Sequence, residues 1–112
     1  MSNEPSSDLA GVLDLEQRHL RIVRDILRRH LVGAEVRAFG SRASGSAKPF
    51  SDLDLLVTAS APLTPRLCAL LADDFSESDL PFKVDLLDSS SLEPNFRDRI
   101  LRGSVVVHTP AA

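Results

Sequence analysis

The chain has 112 residues, 43% of them hydrophobic, and a net charge of −3. That length supports one packed core and no second, and that apolar content excludes a disordered chain. The negative balance argues against coating nucleic acid by phosphate neutralisation, while a single cysteine, Cys68, excludes an internal disulfide and points to a reducing, cytoplasmic setting.

Residues 1–8, MSNEPSSD, read as a loose leader that lacks the basic-then-apolar pattern of a signal peptide. No apolar run is long enough to span a bilayer, so no membrane partner is expected. From Leu9 to Leu31, the residues Leu13, Leu20, Val23, Ile26, Leu27 and Leu31 recur mostly at helical spacing, which predicts an amphipathic helix. Gly33 is placed to end it, and Arg28, Arg29 and His30 complement its C-terminus. The five arginines between Arg18 and Arg29 make a basic face, better explained as a solvated helix surface than as a nucleic-acid contact.

Glu35 to Phe39 then reads as a strand. The glycine-, serine- and proline-rich stretch from Gly40 to Ser51 reads as a loop with one helical turn, and Leu53 to Thr58 as a second strand. Thr64 caps a helix that opens on Pro65 and runs to about Ala72, followed by an acidic connection over Asp73 to Asp79. Phe82 to Leu87 is a third strand, Pro94 or Asn95 starts a short helix stopped by Gly103, and Val105 to Val107 is a final strand. Phe39, Phe82, Phe96 and Cys68 read as core, and residues 109–112 as a loose tail. These elements predict one α/β (α+β) domain over residues 9–108, a small mixed central sheet with helices packed on it.

Two closely spaced aspartates carry the chemistry. Alternation puts Asp52 and Asp54 on one face of the second strand, opposite Leu53, Leu55 and Val57. Two adjacent carboxylates repel and call for a cation, and hard oxygen ligands suit Mg²⁺ or Mn²⁺ better than zinc. Asp85 is a second charge embedded in apolar alternation. If the second and third strands are neighbours it stands beside Asp54, and three carboxylates could then hold two metals for phosphoryl or nucleotidyl transfer. Gly40 admits a triphosphate close to the backbone, and Ser41 adds a hydroxyl donor. Arg42 and Lys48 are in reach of phosphate charge, and Ser51 closes the nucleotide-binding set. His19, His30 and His108 have no spacing that suggests a metal site. Taken singly each feature has a plain structural explanation, a turn, a cap or a charged strand edge; their order along the chain is what is specific.

The order Gly40-Ser41, ten residues, Asp52-Leu53-Asp54, then Asp85 in an apolar strand resembles the nucleotidyltransferase superfamily of DNA polymerase beta. In particular it resembles the smallest branch, the minimal (MNT) nucleotidyltransferases, and the stretch Asn95 to Ile100, Gly103 and a valine-rich strand adds to that likeness. The resemblance implies ATP or another NTP as donor, Mg²⁺ as cofactor with two ions, and transfer of a nucleotide with release of pyrophosphate. It makes Gly40 and Ser41 the phosphate-binding pair, Asp52 and Asp54 metal ligands, and Asp85 the third catalytic carboxylate. Members of this branch are often antitoxins paired with a HEPN-domain RNase toxin, which implies such a toxin as partner and AMP transfer to it. A non-catalytic module that neutralises the toxin by complex formation is the alternative. No acceptor-binding module is visible, so another chain or a homo-oligomer interface has to supply one.

Overall fold

A computed structural model describes residues 13–110; the expected leader and the start of the expected first helix, at residues 9–12, lie outside the described residues. The elements run α1 (Gln17–His30), β1 (Glu35–Phe39), α2 (Ser41–Ser44), β2 (Leu53–Thr58), α3 (Pro65–Ser76), β3 (Val84–Asp88), a 3₁₀ turn (Ser89–Ser91), α4 (Pro94–Arg102) and β4 (Val105–His108). The strands form one four-stranded sheet in the order β3-β2-β1-β4. β1 is antiparallel to β2 and to β4, whereas β2 and β3 are parallel and joined through α3. The architecture is the mixed α/β sheet that the sequence predicts.

β2 is the centre of the packing. Leu53, Leu55 and Val57 are wholly buried and share one cluster with Val36 and Ala38 of β1, Val23, Ile26 and Leu27 of α1, Leu71 and Phe75 of α3, and Val107 of β4. Each large side chain of this set contributes about 1.5–3 kcal/mol by leaving water. Because successive residues point to opposite faces, the same pleat turns Asp54 away from this cluster.

Several boundaries differ from expectation, each for a local reason. α1 starts at Gln17 because Glu16 is its extended N-cap residue (φ −62°, ψ 146°) and the preceding Asp14 donates its N–H to the Arg42 carbonyl instead of entering a helix. Leu13 is buried without being helical. The helix ends at His30, with Leu31 as C-cap, ahead of Gly33. α3 continues through Asp73 to Ser76, since Leu71 and Phe75 extend its buried stripe by one turn. Its start is as expected: the Thr64 hydroxyl accepts the Leu67 N–H and Pro65 occupies the first turn. Phe82 lies before β3 rather than in it. Phe96 is 46% exposed, and Phe39 and Cys68 are half-buried, so of these four only Phe82 is core.

At the end of β3 the Asp88 carboxylate accepts three hydrogen bonds, from the Leu63 N–H, the Ser90 N–H and the Ser90 hydroxyl. It thereby ties the 3₁₀ turn to the segment entering α3. Burial alone would raise the Asp88 pKa, but these bonds to the charged form outweigh it and hold the carboxyl below its usual range. Its contribution is therefore present above the ordinary carboxylate range and is lost as pH falls through the folded value. Asp88→Ala is expected to cost about 1 kcal/mol at neutral pH. Urea melts at neutral and strongly acidic pH should show that cost shrinking with acid; a pH-independent cost would contradict the assignment.

Candidate active site

The sheet brings the second and third strand carboxylates together. β2 pairs with β3 so that Asp54 lies opposite Asp85, and with β1 so that Asp54 also lies opposite Phe39. The neighbour relation on which Asp85 depended is thus present. Asp52 precedes the first ladder residue of β2, so it stands exposed at the mouth of the strand rather than within the pleat.

These charges act on one another. The Asp54 pKa is raised, first by burial and then by the negative charges of Asp85 and Asp52. Lys83 places its Nζ 3.4 Å from Asp85 Oδ1. Sequence reasoning missed this lysine, although its position two residues before Asp85 is the signal for a shared side of the chain. Among the described residues no three His, Cys, Asp or Glu side chains converge as ligands of one ion. The aspartates are neighbours by register and mutual repulsion. Their chemistry still fits a hard divalent ion, because they offer only oxygen donors and a cation would relieve the repulsion felt at Asp54.

The Gly40-Ser41 turn abuts Asp54 directly. Gly40 has φ 79° and ψ −152°, and a Cβ there would lie 2.6 Å from Asp54 Oδ2. Only glycine suits both the backbone and the space. Ser41 opens the single turn of α2, in which the Ala43 and Ser44 amides donate to the Gly40 carbonyl. Ser41 and Arg42 therefore supply the amides at the start of that turn.

Arg42 has a different place from the one expected. Its side chain is buried and donates to the carbonyls of Asp14, Pro49 and Ser51, over the face of Phe82. Each of its three nitrogens is engaged by backbone inside the fold, in place of the phosphate contact expected of it. Lys48 is exposed, and its backbone forms a turn with Ser51: the Ser51 N–H donates to the Lys48 carbonyl and the Ser51 hydroxyl accepts the Lys48 N–H. The tip of that turn carries Phe50, 74% exposed.

The sequence pattern of the family described as Polymerase beta, Nucleotidyltransferase matches residues 12–111. A curated relative from Haemophilus influenzae, described as a probable protein adenylyltransferase MntA, is 43% identical over 95 residues, covering 85% of this chain and 83% of its own. A solved minimal nucleotidyltransferase is 32% identical with a TM-score of 0.61, covering 94% of this chain and 98% of its own. A solved complex of a tri-AMPylated Shewanella oneidensis HEPN toxin with its MNT antitoxin shares the fold, with a TM-score of 0.65 at 22% identity over 85% of this chain and 73% of that one.

Two substitutions test the electrostatics and the close approach. A carboxyl with a raised pKa favours folding most when protonated, and that advantage is lost as pH rises through the folded value. Asp54→Asn is therefore expected to raise the melting temperature at neutral pH in chelator-treated protein, with the gain vanishing in acid. An unchanged or lower melting temperature would remove the repulsion account. Gly40→Ala is expected to cost about 1–3 kcal/mol from its left-handed backbone, read by urea unfolding, and to displace the Asp54 carboxylate.

Proposed function

The chain belongs to the polymerase beta nucleotidyltransferase family, and from that premise we propose that it transfers AMP from ATP to a hydroxyl of a partner protein, acting as the antitoxin of a HEPN-domain toxin. The observation that carries the reading is the pairing of Asp54 with Asp85 across β2 and β3, with Gly40 packed against Asp54 and Asp52 two residues before it. The named activity of the Haemophilus influenzae relative and the AMP-bearing toxin in the Shewanella oneidensis complex support the donor and acceptor.

In this reading Asp52 and Asp54 hold Mg²⁺, with Asp85 completing the set. The ion supplies neutralisation of the triphosphate and activation of the attacking hydroxyl. The chain's own groups do the rest. Gly40 lets the phosphates approach the backbone, and the Ser41 hydroxyl and first-turn amides donate to them. Asp85, kept beside Lys83, accepts the proton of the acceptor hydroxyl as its oxygen attacks the α-phosphorus. The new oxygen–phosphorus bond forms as the bond to pyrophosphate breaks. Lys48 and Ser51, on the turn that leads into Asp52, flank the nucleotide.

The test is ATP labelled at the α-phosphate, incubated with Mg²⁺, this protein and a HEPN-domain toxin from the same genomic neighbourhood. Label should appear on the toxin, and Asp52→Asn or Asp54→Asn should reduce its rate by about a thousandfold. A stable complex without label would instead establish a binding module that neutralises by contact.

A further inference from the structure

Arg42 is a buried cation, 5% exposed, yet among the described residues it makes no ion pair with a carboxylate. Its charge is balanced by backbone dipoles and a ring. Nε donates to the Ser51 carbonyl at 3.0 Å, Nη2 to the Pro49 carbonyl at 3.0 Å, and Nη1 to the Asp14 carbonyl at 2.9 Å. The guanidinium carbon lies 4.2 Å from the centroid of Phe82, which His19 braces edge-on at 5.6 Å. The Asp14 N–H returns a bond to the Arg42 carbonyl at 2.6 Å.

Three of the segments joined in this way lead into the carboxylate site, the exception being the Asp14 segment that enters α1. Arg42 follows Ser41, Ser51 precedes Asp52, and Phe82 precedes Lys83, whose carbonyl accepts the Leu53 N–H at 2.9 Å. Asp52 lies outside the strand ladder, so the sheet does not fix it. We propose that Arg42 is a positioning residue: its fork of donors sets the Pro49–Ser51 backbone, and so the Asp52 carboxylate, relative to the Gly40-Ser41 turn. A lysine cannot replace it, because an ammonium is a point donor without a planar fork. This inference rests on the nucleotidyl-transfer reading of the site.

The experiment compares Arg42→Lys, Arg42→Met and Phe82→Leu with the parent protein by melting temperature, by Mn²⁺ titration followed by electron paramagnetic resonance, and by kcat and KM for ATP. Both Arg42 variants are expected to melt lower, to bind Mn²⁺ about tenfold more weakly and to lose about 10–100-fold in kcat. KM for ATP should stay within about twofold, since Arg42 does not touch the donor. A raised KM in the Met variant with full rescue by lysine would overturn the proposal in favour of a phosphate contact. A lower melting temperature with Mn²⁺ binding and kcat intact would reduce Arg42 to scaffold and overturn it as well. Should the Arg42 variants not fold, Phe82→Leu, which removes the ring that holds the guanidinium plane in place, is expected to loosen the fork and weaken Mn²⁺ binding; unchanged binding there refutes the proposal. The Mn²⁺ titration needs no acceptor, so a parent protein that binds Mn²⁺ yet labels no toxin would defeat the proposed function and not this inference.

Discussion

The register of β2 is the constraint on which the rest depends. Leu53, Leu55 and Val57 are wholly buried on one face, and a slip of one residue would carry Asp54 into that core and expel all three. Burying an unpaired carboxylate while displacing three large apolar side chains from their cluster costs several kcal/mol, a large share of a small domain's stability. The hydrophobic core therefore aligns the carboxylates. It presents Asp54 to Asp85 on one flank and to the end of β1, where the Gly40 turn begins, on the other. Precision at the site is a by-product of apolar packing on the far side of the same strand.

The site itself works against stability. Asp54 is crowded by two carboxylates and partly desolvated, Gly40 is held at a backbone angle that other residues avoid, and Arg42 is a buried charge without a charged partner among the described residues. Each of these would be removed by selection for folding alone, and their concentration within one corner of a small sheet marks the place where function is favoured over stability. Lys83 offsets part of the repulsion at Asp85, but it is largely exposed and screened by solvent.

Much of this was legible in the chain. Alternation located both central strands, and the embedding of Asp54 and Asp85 in apolar alternation was enough to suggest their meeting once the strands are neighbours. Strand order and the parallel sense of β2 and β3 were not legible, because they depend on how α3 returns the chain across the sheet and not on either strand's own pattern. The burial of Arg42 was hidden for a different reason. Its partners are backbone carbonyls and a ring from three separate segments, and no residue-type pattern encodes carbonyl direction. An arginine beside a phosphate turn suggests an anion; only the fold shows its donors turned inward. The boundary of α1 failed similarly, since the apolar Leu13 fits the helical period but the backbone at Asp14 is engaged by Arg42.

The pairing of β1 with β4 has a consequence for how the molecule is made. β2 and β3 follow β1 closely, whereas Arg37 meets Val106 only after nearly every other element has been synthesised. On the ribosome the strands that bear Asp54 and Asp85 can assemble while one margin of β1 is still bare. A bare strand margin is a template for pairing with other nascent chains. The Arg37–Glu35 ion pair, at 2.9 Å on the half-buried face of β1, puts charged side chains beside that margin. The vectorial order of synthesis thus completes the strands that carry the paired aspartates first and leaves the cover of β1 to β4, which then forms that edge of the sheet.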